Sequence, residues 1–296
     1  MQEGFGMLIL NFFMMKRKRI VQIIEIIAII LLFGVFISCN NGQYEHKAQQ
    51  ILEETSIKGG LIIHLGCDNG KLTAGLHAND RYLVHGLAKD KETAEKAREY
   101  IQDRDLYGPV TIEQWDGDKL PYTDNLVNLL VAEHLNGVSM EEVMRVLSPN
   151  GIAYIKEDGQ WQKKKKNRPE NVDEWTHNLH GPSNNAVAKD TEVEPPQTLQ
   201  WKGKPLFSRS HELIPSIRAM VSSGGRIFYV IDEAPLGVKD PRIPSQWRLV
   251  ARDAYNGVIL WKQAIPGGTS AVAPECLVAH DDKVYVTLSD NQEVSV

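Results

Sequence analysis

Residues 59–70 have the sequence Gly59-Gly60-Leu61-Ile62-Ile63-His64-Leu65-Gly66-Cys67-Asp68-Asn69-Gly70. The apolar run has the length of a β-strand, the loop after it contains two glycines, and helical sequence follows. Doubly wound α/β folds use this order of elements to present a nucleotide to the N-terminus of a helix. Many other βα turns contain two glycines for steric reasons alone, so the neighbouring sequence has to support the same fold.

The residues after this loop alternate between strand and helix patterns, as expected for a parallel sheet. Further strands are predicted at Tyr82–Leu87, Val110–Trp115, Leu126–Ala132 and Ile152–Ile155, the last after a turn at Pro149-Asn150-Gly151. Asp90 is placed to cap a helix that starts at Lys91 and ends near Ile101. Ser139 and Glu142 have the spacing of a capping box, which predicts a short helix through Leu147.

Three stretches then occur in an order that is typical of one family: Leu65–Gly70, Asp116–Asn125 and Val143–Gly151. Across residues 44–158 the chain resembles the class I S-adenosylmethionine-dependent methyltransferases. The resemblance implies a Rossmann-like parallel sheet with S-adenosylmethionine as cofactor. It also implies the cofactor-binding residues Gly66, Cys67, Asp68, Gly70, Asp116 and Gly117.

The same segment departs from the family pattern at several positions. His64 stands where the family has an acidic residue, Asp68 replaces the middle glycine of the loop, and Ala88 replaces the acidic residue that holds the ribose. Asp90 lies two residues beyond Ala88 and is better explained as the helix cap. After the fifth strand we expect the sheet to lack the last antiparallel hairpin of the family. These departures predict a methyltransferase fold in outline with a damaged cofactor site.

The N-terminus has the pattern of a secretory signal. A basic segment, Lys16–Arg19, precedes an unbroken apolar core, Ile26–Ser38, and Cys39 follows directly. The segment Phe36–Cys39 resembles a bacterial lipobox, in which the cysteine is diacylated and becomes the mature terminus. Residues 1–38 are therefore predicted to be a lipoprotein signal peptide, with the protein lipid-anchored in the cell envelope, on the periplasmic side of the outer membrane. The alternative is a signal anchor that stays attached.

Composition places the chain among multidomain globular proteins: 296 residues, 42% hydrophobic, with a net charge of −5. It has none of the basic bias of nucleic-acid-binding proteins, so no nucleic-acid partner is expected. We predict a methyltransferase-like domain over residues 39–158 and a linker over residues 159–195. The lysine run Lys163–Lys166 is interpreted as a solvated part of that linker. Cys67 and Cys276 fall in different predicted domains and are expected to be unpaired.

The linker contains a Trp/His motif, residues 173–180. His177 and His180 are three residues apart, so on a helix they could share a face and bind a metal or haem. The preferred interpretation is a packing motif, in which Trp175 docks between domains and the histidines bond to the backbone. No third ligand can be named from the spacing, and no metal site is predicted.

From residue 196 to residue 296 the sequence is β-rich. Two strand patterns, Trp247–Ala254 and Val258–Lys262, flank Asn256-Gly257, which predicts a hairpin with a type I′ turn. Met220–Tyr229 also aligns without gaps on Leu277–Val286, as in a structural repeat.

This part of the chain resembles the pyrroloquinoline-quinone (PQQ)-type repeats of β-propellers. The resemblance rests on Asp253–Gly257 followed by Leu260 and Trp261, where the tryptophan packs between blades. It implies an incomplete propeller of about one and a half blades. The repeats occur in quinoprotein dehydrogenases, which bind the quinone, and in outer-membrane assembly lipoproteins, which do not. PQQ itself is not supported by this portion of the sequence.

Three functions are compatible with these features. The first is an exported, lipid-anchored cell-envelope protein with a degenerate methyltransferase-like scaffold and a propeller that binds a protein or polysaccharide. The second is an active S-adenosylmethionine-dependent methyltransferase, although that cofactor is not supplied outside the cytoplasm. The third is a quinoprotein redox enzyme whose active site lies in further blades. The first is preferred, and no catalytic residue is assigned.

Overall fold

The structure is a computed structural model, and it describes residues 42–195, 199–204, 216–235, 242–265, 273–287 and 293–295. The chain divides into two compact units, residues 1–47 and residues 48–296, and the fold reported below is that of the second. The predicted signal peptide and Cys39 lie outside the described residues. Within the described part of the chain, no helix is both long and apolar enough to cross a membrane.

The first part of this unit is an α/β sheet with its helices. It contains helical residues 48–55 (α1), β1 (Gly60–Leu65), α2 (Lys71–Leu76), β2 (Tyr82–Ala88), α3 (Lys91–Gln102), β3 (Val110–Gln114), β4 (Val127–Ala132), α4 (Met140–Val146), β5 (Leu147–Glu157) and β6 (Gln160–Lys165). The strand order is β3-β2-β1-β4-β5-β6. Strands β1 to β5 are parallel, which confirms the predicted strand–helix alternation, and β6 runs antiparallel to β5.

The edge of this sheet differs from the prediction. Strand β5 begins at Leu147, so Pro149–Gly151 lies within the strand and not in a turn before it. Beyond β5 the chain reverses through Asp158 and Gly159, whose φ angles of 50° and 79° are those of a tight hairpin turn. The prediction that an antiparallel hairpin is missing was therefore wrong, because β5 and β6 form one.

Three of the four residues of the lysine run, Lys163–Lys165, belong to β6, so the run is not a solvated linker. Its backbone pairs with β5, with Lys163 opposite Tyr154. The Lys163 ammonium donates to the carbonyl of Glu54 at 2.8 Å, and Trp161 stacks on Tyr154 with 4.8 Å between ring centroids. Lysines on an edge strand also discourage pairing with another chain. The run is thus a charged edge of the sheet, and its composition alone suggested a linker.

Local signals position the two longer predicted helices. Asp90 caps α3 by accepting from Thr93 N at 2.9 Å, as predicted, and the inward residues Ala94, Ala97 and Ile101 are fully buried. Ser139 caps α4 through Glu142 N. The capping box is one-sided, however, because the Glu142 carboxylate accepts from Leu120 N at 2.7 Å. Glu142 therefore holds the segment after β3 against α4.

The second part of the unit consists of two antiparallel sheets. Its strands are β7 (Ile217–Ser223), β8 (Arg226–Asp232), β9 (Trp247–Asp253), β10 (Ile259–Ala264), β11 (Leu277–His280), β12 (Lys283–Thr287) and β13 (Glu293–Ser295). One sheet has the order β10-β9-β8-β7 and the other β11-β12-β13. A single apolar cluster joins both sheets, with Val221, Phe228 and Leu249 from the first and Leu277 and Val284 from the second.

The β9–β10 hairpin forms as predicted, but its turn is different. Of the two residues that a type I′ turn needs with positive φ, Gly257 has it (72°) and Asn256 does not. The N–H groups of Tyr255 and Asn256 donate to Oδ1 of Asp253, and Gly257 N donates to its carbonyl. The loop is therefore organised by the Asp253 side chain, since an aspartate can capture backbone amides two and three residues on.

The two segments of the predicted repeat pair their strands in the same way, but corresponding side chains lie on opposite faces of their hairpins. Met220 pairs with Tyr229 in one hairpin, as Leu277 pairs with Val286 in the other. The Met220 side chain is 50% exposed, however, whereas Leu277 is fully buried. Because side chains alternate along a strand, a one-residue offset exchanges the two faces. The gap-free alignment therefore equates opposite faces of the two hairpins.

Candidate functional site

The residues predicted to bind the cofactor follow the carboxyl ends of β1 and β3. Gly66 N and Cys67 N both donate to the carbonyl of Leu87, at 2.9 and 3.1 Å. Trp115 N donates to the carbonyl of Ala88 at 2.7 Å. These backbone bonds hold the ends of β1, β2 and β3 together at one edge of the parallel sheet, where open α/β sheets bind their ligands.

The loop after β1 has the shape expected of a cofactor loop. Gly66 and Gly70 adopt left-handed conformations, with φ of 77° and 73°. A Cβ at Gly70 would lie 2.9 Å from the carbonyl oxygen of Ala97, so glycine is also needed there for the approach of α2 to α3. Asp68 is exposed between them, whereas Cys67 is buried. Burial, reinforced by the Asp68 carboxylate, raises the pKa of the Cys67 thiol to about 12, so the thiol is neutral.

The second predicted contact segment follows β3. Asp116 is exposed, and Gly117 lies against the indole of Trp115, where a Cβ would be 3.4 Å from the ring. The structure thus brings Asp116 and Gly117 to the same edge as the β1 loop. An exposed carboxylate at this position can accept a hydrogen bond from a ligand.

The end of β2 offers no free carboxylate within residues 86–91. Ala88 is fully buried and offers only a methyl group. Asp90 is the single carboxylate within residues 86–91, and its two oxygens accept from Thr93 N and Thr93 Oγ1, both at 2.9 Å. These bonds hold the pKa of Asp90 below its usual value. The first carboxylate after Ala88 in the chain is therefore already engaged in capping α3.

His64 occupies the position where the resemblance leads one to expect an acidic residue. Its side chain is buried, and Nδ1 lies 2.8 Å from Oγ1 of Thr73 on α2. This bond ties β1 to α2. His64 thus has a packing role on the face of the sheet that α2 covers.

A second polar cluster was not predicted from the sequence. The hydroxyl of Tyr122 lies 2.8 Å from Nδ1 of His85, and Nε2 of His85 lies 3.6 Å from the Glu113 carboxylate. Burial lowers the pKa of His85, opposed by Glu113, and burial also raises the pKa of Tyr122. A neutral imidazole therefore accepts from a neutral phenol, and the pair fastens the segment after β3 to the sheet. The residues are far apart in sequence, so no local pattern indicates the contact.

The Trp/His motif of residues 173–180 is not helical, so the two histidines do not share a helical face. The backbone of Trp175 bonds to Ser222 of β7. Trp175 N donates to Oγ of Ser222, and the Trp175 carbonyl accepts from Ser222 N at 2.7 Å. His180 Nε2 lies 2.7 Å from the Asp173 carboxylate. Over the described ranges no group of three or more His, Cys, Asp or Glu side chains is placed to bind a metal. The contacts of Trp175 with β7 fit a packing role. The prediction that the histidines bond to the backbone was wrong for their rings, because His177 and His180 contact the side chains of Thr176 and Asp173.

Comparison with known proteins identifies the α/β part. Residues 63–155 match the family model for the methyltransferase domain. These residues form a methyltransferase-like domain. Its match begins within β1 and ends within β5, so it contains the loop after β1 and the segment with Asp116. No curated protein is significantly similar to the chain.

Three solved structures illustrate what the methyltransferase-like domain is similar to. One, from Methanococcus maripaludis, is named a candidate S-adenosylmethionine-dependent methyltransferase; it is 26% identical, with a TM-score of 0.35, and the match covers 38% of this chain and 54% of that one. The [4+2]-cyclase SpnF is 24% identical, with a TM-score of 0.35 and coverages of 38% and 43%. An S-adenosylmethionine-dependent methyltransferase from Aquifex aeolicus is 20% identical, with a TM-score of 0.33 and coverages of 36% and 62%. The chain thus spans about half the length of the solved structures that it matches.

Proposed function

We propose that this chain is an exported, lipid-anchored cell-envelope protein in which the methyltransferase-like domain is a scaffold. In this proposal the antiparallel sheets belong to a PQQ-like propeller that binds a protein or polysaccharide. The proposed loss of cofactor binding rests on the end of β2, where the resemblance leads one to expect a ribose-binding carboxylate. Ala88 stands at that position, and Asp90 is engaged in the helix cap.

The expected loss of affinity can be estimated. A hydrogen bond to a charged group contributes about 1.5–3 kcal/mol, which corresponds to roughly ten- to a hundredfold in affinity. The exposed Asp68 carboxylate adds repulsion toward the carboxylate of S-adenosylmethionine. Asp116 remains available to contact the adenine. We therefore propose that S-adenosylmethionine binds weakly or negligibly.

The test is calorimetry of the full chain with S-adenosylmethionine. The variant Ala88→Asp with Asp68→Gly should restore the acceptor and remove the repulsion, raising affinity about tenfold or more. Ala88→Asn with Asp68→Gly is the matched control, because it adds the same bulk at a buried position without the charge. Melting temperatures of all variants show whether the fold survives. Low-micromolar binding by the wild type, with no gain in the Asp variant, would overturn the proposal.

The second candidate is an active S-adenosylmethionine-dependent methyltransferase. It is favoured by the family match over residues 63–155 and by Asp116 and the β1 loop lying at one edge of the sheet. The same calorimetry decides between the two candidates, because an active enzyme requires saturable cofactor binding. Transfer of a labelled methyl group to an envelope extract would then identify the acceptor class.

The proposed propeller is supported by the four-stranded antiparallel sheet, which is the unit of a propeller blade. Trp261 lies on the last strand of this sheet, and its ring is 6.0 Å from that of Phe228 in the cluster that joins the two sheets. This position suits a tryptophan that packs between blades.

The proposed anchor rests on the sequence alone. In cells fed a labelled fatty acid, the protein should carry the label, and Cys39→Ala should abolish it. Cys276→Ala is the control and should leave the label in place. Equal labelling of wild type and Cys39→Ala would exclude a lipobox at this position.

A further inference from the structure

A cleft of 420 Å³ lies between the methyltransferase-like domain and the four-stranded antiparallel sheet. Its lining includes Lys58 and Arg81, which precede β1 and β2, and Arg226, Tyr255 and Trp261 from the antiparallel sheet. It is therefore at the amino ends of the parallel strands, opposite the edge predicted to hold a cofactor. Small-molecule sites have volumes of about 300–1,000 Å³, so the cleft is large enough for a ligand.

The walls of the cleft are fixed to one another by hydrogen bonds. Asn128, at the start of β4, donates to Oδ2 of Asp253 at 2.7 Å and accepts from Asn256 Nδ2 at 2.6 Å. Asn256 also donates to the carbonyl of Leu126 at 3.0 Å. The cleft is thus a preformed feature of this arrangement, and binding would not need to assemble it.

Positive charge dominates the lining. Lys58 and Arg81 are exposed, and among the described residues neither side chain has an acceptor. The Arg226 guanidinium meets the carbonyls of Ser223 and Asp281, which do not neutralise its charge. The one carboxylate in the lining, Asp253, accepts from Asn128 on one oxygen and from two backbone amides on the other. Its hydrogen bonds are therefore directed into the protein. Lys58, Arg81 and the part of the Arg226 guanidinium that is not bonded to carbonyls remain for a ligand.

Two aromatic side chains, Tyr255 and Trp261, also line the cleft. Trp261 is half-buried, because its ring also contacts the cluster between the sheets. Aromatic rings bind flat apolar surfaces, and the C–H face of a pyranose ring is one such surface. Arginine and lysine bind carboxylate and sulfate groups through charge-assisted hydrogen bonds.

We infer that this cleft binds an acidic saccharide, with its anionic group at Lys58, Arg81 and Arg226 and a sugar ring at Trp261. The inference rests on the proposed binding function of the antiparallel sheets and narrows its ligand to acidic sugars. It does not depend on whether S-adenosylmethionine binds.

The test is calorimetry of the full chain with an oligogalacturonate and with a neutral galactose oligosaccharide of equal length. We expect the acidic oligosaccharide to bind about tenfold or more tightly, and the difference to shrink as salt is added. Lys58→Gln with Arg81→Gln should weaken its binding about tenfold or more. Lys189→Gln with Lys283→Gln is the matched control, since it removes two exposed positive charges outside the cleft and should leave the affinity within about twofold.

Several outcomes would overturn the inference. Equal binding of both oligosaccharides would remove the acidic specificity while leaving the proposed saccharide-binding function intact. Unchanged affinity in the Lys58/Arg81 variant would place the site elsewhere on the protein. Displacement by inorganic sulfate as effective as that by galacturonate would show a simple anion site. Binding of neither oligosaccharide would refute the inference. Recovery of a protein partner with the chain would then still support the proposed binding function.

Discussion

The side chain of Asn128 donates to the carboxylate of Asp253, with 2.7 Å between Nδ2 and Oδ2, and so joins the parallel sheet to the β9–β10 loop. Oδ1 of Asn128 accepts from Leu61 N at 2.8 Å and from Asn256 Nδ2. Burial raises the pKa of Asp253, and its bonds to Asn128 and to two backbone amides oppose that rise. The Asn128 side chain therefore forms hydrogen bonds with both parts of the unit, the parallel sheet and the β9–β10 loop.

Replacing Asn128 with alanine should loosen this junction. The change removes the acceptor of Leu61 N and one hydrogen bond each from Asn256 and the buried Asp253. We therefore expect the free energy of unfolding to fall by about 3 kcal/mol. Asn79→Ala is the control, because the Asn79 side chain is exposed and, among the described residues, accepts only from Arg81 N. The loss in this variant should stay below about 1 kcal/mol. Denaturant unfolding measures both. Equal losses in the two variants would mean that the junction adds no stability.

Gly60→Ala should lower the free energy of unfolding much more than Gly108→Ala. Both glycines have positive φ, 103° and 119°, so each substitution strains the backbone. A Cβ at Gly60 would lie 1.9 Å from Oδ1 of Asn128, whereas a Cβ at Gly108 would meet nothing within 4 Å. We expect a loss of about 1–2 kcal/mol for Gly108→Ala and more than about 3 kcal/mol for Gly60→Ala.

A double variant separates strain from steric clash at this site. In the Asn128→Ala background the clash is gone, so the additional loss caused by Gly60→Ala should fall to the value found for Gly108→Ala. Strict additivity of the two changes would show that Asn128 does not limit the space at Gly60.

Cys67 should react with iodoacetamide at least about tenfold more slowly than Cys276 at pH 8, because the thiolate is the reactive species and burial suppresses it. Cys67 is buried with a pKa of about 12, whereas Cys276 is partly exposed. Peptide mass spectrometry over a time course gives both rates. In denaturant the two rates should converge; a Cys67 rate that already matches Cys276 in the native protein would contradict the buried loop.

Acid should destabilise the protein partly through Asp173. Hydrogen bonds from the N–H groups of Lys189 and Glu174, together with His180, lower the pKa of Asp173 from 3.8 to about 2. Since the folded pKa is depressed, the stabilisation is present above pH 3.8 and is lost as the pH falls toward 2. Asp173→Asn should therefore reduce the change in melting temperature between pH 4 and pH 2. Asp118→Asn, at an exposed position, should keep the wild-type pH dependence.

Local sequence signals predicted the elements that depend on neighbouring residues. The apolar run at β1, the two glycines after it and the Asp90 cap of α3 each involve residues only a few positions apart, and each is found in the structure. The order of the strands placed the β1 loop and Asp116 at one edge. The same reasoning identified Asp90 as a cap, which is the basis for the proposed loss of cofactor binding.

Features that depend on distant residues were not predictable in this way. The lysine run of β6 has the composition of a linker, and only its pairing with β5 makes it a strand. Residues 125 apart form the Asn128–Asp253 bond, and 37 residues separate His85 from Tyr122. The hairpin turn was mispredicted because Asn256-Gly257 favours one turn type and the Asp253 side chain, three residues earlier, imposes another.

Strands β1 and β4 are each six residues long, so their two ends are about 20 Å apart. The β9–β10 loop is attached at one end of these strands, and the loop after β1 lies at the other. Substitutions at the carboxyl ends of the strands, such as Ala88→Asp and Asp68→Gly, therefore change no residue of the attachment. The attachment of the antiparallel sheet and a ligand site at the opposite edge can thus be altered independently of each other.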